Sequence, residues 1–338
     1  MMDVKTYTYG RVGDLLLQVD VWMSRDVTYH RPAVFTHFHG GYMCTGKKGL
    51  WEPTWMATAC ARRGWIYATP NYRLIPEVTA LDIIDDTVQL HGWICNRLSQ
   101  EVGVQVDTSK IIWAGSSGGG YVAISSASVV PVAAVLVMYP VIDMSSAYYT
   151  QDTDISRPIL SDLESVVTYM KANRGKYVTG HEPKLLSDGA ADPADLRSQL
   201  CTTMLVKNLY PDMLTGVDGM AALIAEHGEE GIPKEYRCVF PLSQPFTKFP
   251  PIAVLHGKKD ESVTVEESRR LVSRLQEANV SHLFVEIANG PHGFDVAMDD
   301  LNIDGPLRPE DMATWPTLDE ETFNGMKSMF KFVDSTLA

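Results

Sequence analysis

Short apolar runs rich in β-branched residues alternate along the chain with stretches whose apolar residues recur every three or four positions. That alternation predicts strands joined by helical crossovers, the pattern of a mostly parallel sheet. Leu15 to Trp22 alternates apolar and polar residues like a hairpin strand at a sheet edge. Ala33 to Phe38, Trp65 to Thr69, Ile111 to Ala114, Val132 to Met138, Ile252 to Leu255 and Leu283 to Ile287 are nearly continuous apolar runs, which predicts strands covered on both faces. Leu81, Ile84, Val88, Ile94 and Leu98 fall on helical spacing behind a capping box of Thr79 and Asp82. Thr264 with Glu267 heads a second helix through Leu271, Val272 and Leu275, and Thr317 with Glu320 heads a last one carrying Phe323, Met326, Phe330, Val333 and Leu337.

From about Ser145 to Pro245 the alternation stops. This stretch has helical patterns, Pro and Gly punctuation and many Asp, with no buried strand pattern. The expected organisation is therefore a sheet domain of residues 1–144 and 246–338 interrupted by a helical cap at 145–245.

Composition narrows the function classes. With 338 residues, 45% hydrophobic and 21% charged, the chain can bury a sizeable core and is not of disordered or fibrous type. A net charge of −13 repels phosphate backbones and anionic lipid surfaces, so nucleic acid is not an expected partner. No apolar run is long enough to span a membrane, and the first residues lack a secretory pattern, which points to the cytoplasm. The five cysteines are scattered with no CxxC pair, suggesting neither disulfides nor a zinc site.

Four segments carry chemistry. Ile111 to Gly120 is an apolar strand running into Gly115-Ser116-Ser117-Gly118-Gly119 and then a helical stretch. Such a strand, tight turn and helix project a serine hydroxyl, here Ser117, and aim the amide of Gly118 at the same point. A phosphate-binding loop is the rival reading, but its Lys-Ser/Thr is absent. Upstream, Phe38-His39-Gly40-Gly41-Tyr42 ends a buried strand in a glycine turn whose amides can face inward to hold an oxyanion. His39 is expected to brace that turn by hydrogen bonding; a metal held by His37 and His39 lacks a specified third ligand. The strand Ile252 to Leu255 delivers Asp260, and the strand Leu283 to Ile287 is followed by a turn presenting His292. The order Ser117, Asp260, His292 is the triad order of α/β-hydrolases.

In four places the sequence resembles the hormone-sensitive-lipase-like, carboxylesterase-rich branch of that superfamily. His39-Gly40-Gly41, Tyr72-Arg73-Leu74-Ile75-Pro76-Glu77, Gly115-Ser116-Ser117-Gly118-Gly119 and His292-Gly293-Phe294 are similar to its HGG(G), YRLAPE, GDSAGG and HGF motifs, in the same order. The resemblance implies an α/β-hydrolase fold, a mostly parallel central sheet flanked by helices, with the inserted cap. It further implies Ser117 as nucleophile, His292 as base, Asp260 as acid, oxyanion amides from Gly40, Gly41 and Gly118, a small-molecule ester as substrate, and no metal or organic cofactor. Asp143 and Glu261 are the rival acids. Tyr42 replaces a third glycine and Ser116 an aspartate. The tyrosine brings the turn closer to the HGGxW loop of kynurenine formamidase-like hydrolases, which keeps amide hydrolysis open beside ester hydrolysis; elimination or lactone formation in the same site is a further alternative. Small-molecule receptors resembling this branch lack the histidine that His292 supplies. Tyr42, Trp51, Trp55, Tyr148 and Tyr149 are candidates to line an aromatic substrate pocket.

Overall fold

A computed structural model describes residues 2–151, 163–187, 192 and 194–338. In chain order the elements are β1 (Met2–Val12), β2 (Leu15–Ser24), β3 (Val34–Phe38), α1 (Thr54–Arg62), β4 (Ile66–Pro70), α2 (Ala80–Trp93), which continues through a π-helical turn into α3 (Ser99–Val102), then β5 (Ile111–Ser116), α4 (Gly118–Ala127) and β6 (Ala134–Met138). Among the described residues the stretch between β6 and the next strand contains only helices and irregular chain: α5 (Ala147–Thr150), α6 (Leu163–Asn173), α7 (Leu196–Val206), α8 (Tyr210–Thr215) and α9 (Met220–His227), followed by 3-10 turns. The sheet domain resumes with β7 (Ile252–Gly257), α10 (Val265–Glu277), β8 (His282–Ile287), α11 (Pro309–Thr314) and α12 (Glu320–Leu337). Residues 152–162, 188–191 and 193 of the expected cap lie outside the described residues.

The eight strands form one sheet in the order β1-β2-β4-β3-β5-β6-β7-β8. The β1–β2 and β2–β4 pairs are antiparallel, and every other pair is parallel. Strand periodicity divides the core in two. On β5, Ile111 and Trp113 enter one cluster with α2 and α4, whereas Ile112 and Ala114 enter the other with α1 and α12. Each such fully buried Ile or Val contributes about 1.5–3 kcal/mol, and this is why these runs carry no polar alternation. β1 lacked an apolar signature because most of its side chains are exposed; pairing with β2 makes it a strand. No helix among the described residues is long and apolar enough to cross a membrane.

The capping predictions divide. Thr79 and Asp82 form the reciprocal box expected at the start of α2. At α10, Thr264 is the N-cap, but its side chain accepts no bond. Glu267 turns instead into the core and accepts the amides of Ile142 and Asp143, 2.8 and 3.0 Å away. At α12 the cap is Asp319, accepting from the Thr322 amide, while Thr317 donates to the Phe294 carbonyl. Both residues met tertiary partners that outcompete a local bond worth about 1 kcal/mol.

Candidate active site

The sheet reverses its order of growth between β3 and β5, and side chains at their carboxyl ends face a common crevice. Ser117 stands there, between β5 and the first turn of α4, with φ +55° and ψ −121°. This backbone conformation costs a non-glycine residue about 1–3 kcal/mol. It persists because the Ser117 N–H donates to the Met138 carbonyl at 3.0 Å, while the Ser117 carbonyl accepts from Gly120 and Val141. Close packing also enforces the turn. A Cβ on Gly115 would lie 2.2 Å from the Gly119 carbonyl oxygen, and one on Gly119 would lie 1.9 Å from that of Phe38.

The glycine turn after β3 runs against this serine. A Cβ on Gly40 would sit 4.0 Å from Ser117 Oγ, and one on Gly118 would sit 2.7 Å from the Tyr42 nitrogen. Gly118 is the first residue of α4, so its N–H has no carbonyl within the helix. Gly41 has φ +98° and its carbonyl accepts from Cys44 and Thr45, which folds the turn back on itself. His39 braces it as expected: Nδ1 donates to the Gly40 carbonyl at 2.9 Å, and the ring stacks on Tyr72 with centroids 4.3 Å apart. Burial pushes this imidazole down to about 4, so it is neutral near pH 7 with its proton on Nδ1. Tyr72 OH donates in turn to the His39 carbonyl. His37 does not share a partner with His39. Its Nε2 lies 3.0 Å from Ser116 Oγ, and its Nδ1 lies 3.4 Å from Glu52. Among the described residues no group of three or more His, Cys, Asp or Glu could hold a metal ion.

β7 and β8 bring the remaining two side chains to the serine. His292 Nε2 is 3.0 Å from Ser117 Oγ, and His292 Nδ1 is 2.7 Å from Asp260 Oδ2. Asp260 Oδ1 accepts the amides of Ser262 and Val263 at 2.9 and 2.8 Å. Burial raises the cost of ionising this carboxyl, but hydrogen bonds from His256, His292 and Val263 outweigh it and hold Asp260 well below the usual carboxylate range. The rival acids lie elsewhere: Asp143 pairs with Arg270 at 2.5 Å, and Glu261 is exposed. Tyr139, with φ +36°, packs its ring 4.8 Å from that of His292 and donates its hydroxyl to the buried Asp295.

The aromatic candidates occupy different surroundings. Tyr42, with φ +52°, donates its hydroxyl to the Ser262 carbonyl at 2.7 Å, and Tyr210 of α8 packs between it and Tyr149. Tyr149 is fully buried with its hydroxyl 3.2 Å from Glu267, whereas Tyr148 is half-buried and lies edge-on to it. Trp51 is half-buried with φ +49°. Trp55 is enclosed in the core against Phe330, donating to Asp295, and has no surface for a ligand. Sequence reasoning missed Glu267, Ser268 and the Tyr139–Asp295 pair. Ser268 and the Tyr139–Asp295 pair belong to no motif, and Glu267 was read only as half of a capping box; the partners of all of them are distant in the chain.

A serine hydroxyl, an imidazole and an ionised carboxylate thus stand in hydrogen-bonded succession beside a glycine turn and a helix start. That arrangement can deprotonate the hydroxyl as it attacks a carbonyl and meet the resulting negative oxygen with backbone N–H groups. Comparison with known proteins agrees with the architecture. A family model described as the alpha/beta hydrolase fold matches residues 35–207, just over half of the chain. "Probable carboxylesterase M8" of a Phoma species is 24% identical over 324 residues, covering 86% of this chain and 89% of that protein. A non-reducing polyketide synthase of Penicillium brasilianum is also 24% identical over 324 residues, but this chain spans only 13% of the synthase's length. The crystal structure of esterase LipW from Mycobacterium marinum superposes with a TM-score of 0.60 at 17% identity, covering 100% of this chain and 83% of that one.

Proposed function

The chain belongs to the α/β-hydrolase family, in its hormone-sensitive-lipase-like branch, and from that membership we propose a serine hydrolase that cleaves carboxylic esters of small, apolar molecules. The observation that carries the reading is the continuous Ser117–His292–Asp260 hydrogen bonding, 3.0 and 2.7 Å, at a positive-φ turn.

In this mechanism His292 Nε2 takes the Ser117 proton as Oγ attacks the ester carbonyl. The amides of Gly40, Gly41 and Gly118 hold the oxyanion. Collapse of the tetrahedral intermediate breaks the acyl–oxygen bond, and His292 returns the proton to the leaving alcohol. A water molecule then gives its proton to His292 and attacks the acyl-serine, releasing the acid and restoring Ser117. Asp260 stays ionised throughout, keeps the imidazole's Nδ1–H directed at itself and stabilises the imidazolium. The stretch 145–245 is proposed to roof the crevice and select substrates, with Tyr42, Trp51 and Tyr148 as candidates to line an aromatic pocket; Tyr149, the fourth candidate, is fully buried against Tyr210 and Glu267.

A panel of p-nitrophenyl esters of graded acyl length beside aryl formamides, with product analysis, tests this reading. Ester turnover, with a fluorophosphonate adduct mapped to Ser117 and a loss of about 10⁴-fold in kcat for Ser117→Ala, is the expected result. Preferred formamide turnover would move the assignment to amide hydrolysis. Elimination or lactone products would move it to non-hydrolytic chemistry.

A further inference from the structure

His256 is the penultimate residue of β7, four residues before Asp260, and is fully buried. Its Nε2 lies 2.9 Å from the Val263 carbonyl and 3.3 Å from Asp260 Oδ2, while its Nδ1 lies 2.7 Å from Ser268 Oγ on α10. Both neighbours of Nε2 are acceptors, so Nε2 carries a proton. With the ring neutral, Nδ1 is the acceptor and Ser268 the donor. Asp260 Oδ2 therefore takes the His292 Nδ1–H at 2.7 Å and is approached at 3.3 Å by the His256 Nε2–H, which it shares with the nearer Val263 carbonyl, while Oδ1 takes two backbone amides. Val263 is held at both ends of its backbone, by its amide to Asp260 and by its carbonyl to His256.

We propose that His256, with its tautomer set by Ser268, is a positioning residue for the reaction: it extends the relay to Ser268–His256–Asp260–His292–Ser117. This rests on the esterase reading above. Its consequence is electrostatic as well as geometric. An N–H dipole on Oδ2 draws carboxylate charge away from His292 and fixes the plane in which Oδ2 meets His292 Nδ1. Among the other ionisable groups, Tyr139 after β6 senses this carboxylate and is bonded to Asp295 after β8; on α10, Glu267 next to Ser268 is occupied by the Ile142 and Asp143 amides, and Asp143 pairs with Arg270. All are left in place by the variants below.

The test compares His256→Leu, His256→Gln and Ser268→Ala. Removing the Nε2–H returns carboxylate charge to His292, so the acid limb of the kcat/KM profile for a p-nitrophenyl ester should move to higher pH. In His256→Leu we expect kcat to fall about 10-fold with KM nearly unchanged. His256→Gln, which keeps an N–H near the same place, should recover most of the rate. Ser268→Ala, which keeps the imidazole's volume, should show a smaller shift in the same direction, and decides the matter should His256→Leu fail to fold. The titration of the downfield His292 Nδ1–H signal in proton NMR reads the same coupling without turnover. An unmoved titration in folded Ser268→Ala and His256→Leu overturns the proposal. A moved titration in a protein that turns over no ester would leave the coupling standing and overturn the esterase reading alone.

Discussion

The serine turn and the acid turn carry groups of the same proposed relay, yet they are held by different physics. The serine turn is steric. Gly115 and Gly119 let β5, α4 and β3 approach to distances at which any Cβ would overlap a backbone carbonyl, and β5 and α4 follow each other directly in the chain, from Ile111 to Ala127. The acid turn is polar and assembled from afar. Asp260 is met by Ser262, Val263, His256 and His292, and Tyr42 reaches it across 220 residues to bond the Ser262 carbonyl. A steric turn fails all at once, whereas a turn with several donors weakens in steps.

The largest expected effect removes the charge at the centre of the acid turn. Asp260→Asn should lower kcat about 10⁴-fold, because the amide can no longer keep the imidazole proton on Nδ1. Steady-state kinetics on a p-nitrophenyl ester reads this, and a loss under tenfold would take Asp260 out of the relay. Gly119→Ala probes the steric turn: a Cβ 1.9 Å from the Phe38 carbonyl oxygen cannot be absorbed by a side-chain rotation. A stability loss of about 3 kcal/mol or more is expected in urea unfolding. Wild-type stability would show that α4 can shift freely.

Acid should loosen the glycine turn through His39. Its folded value of about 4 lies below the ordinary 6.5, so between those values the unfolded chain binds more protons than the folded one. The stability this burial carries is complete above pH 6.5 and falls as pH drops toward 4, by up to about 3 kcal/mol. Thermal unfolding at several pH values should show that fall and should show less of it in His39→Gln. The smallest effect belongs to Tyr42→Phe, which removes a single bond between the glycine turn and the acid turn. A loss of about 1 kcal/mol in stability and a few-fold in kcat is expected. An unchanged kcat would mean the two turns are aligned without that tether.

Glu267 shows how a distant partner overrides a local signal. Thr264-x-x-Glu267 has the spacing of a capping box. In the folded chain the carboxyl is buried, its pKa is pushed up by burial, and it is occupied by two amides from the chain after β6. Thr79 and Asp82, a threonine and an acid at the same spacing, remain at a partly exposed helix start, and there the box forms. Local spacing decides only where no tertiary partner competes.

The sequence by itself determined the parallel sheet, because a strand buried on both faces must be apolar at every position, and it determined the serine turn, because close backbone approach admits glycine alone. It also placed Asp260 and His292 at strand ends. Only the tertiary structure decided that Asp143 belongs to Arg270, that Glu267 is a core acceptor, that Tyr42 ties two turns together and that a second imidazole stands behind Asp260. Those assignments depend on which polar groups share a buried volume, and a buried donor takes the acceptor that folding brings within about 3 Å, however far away it lies along the chain.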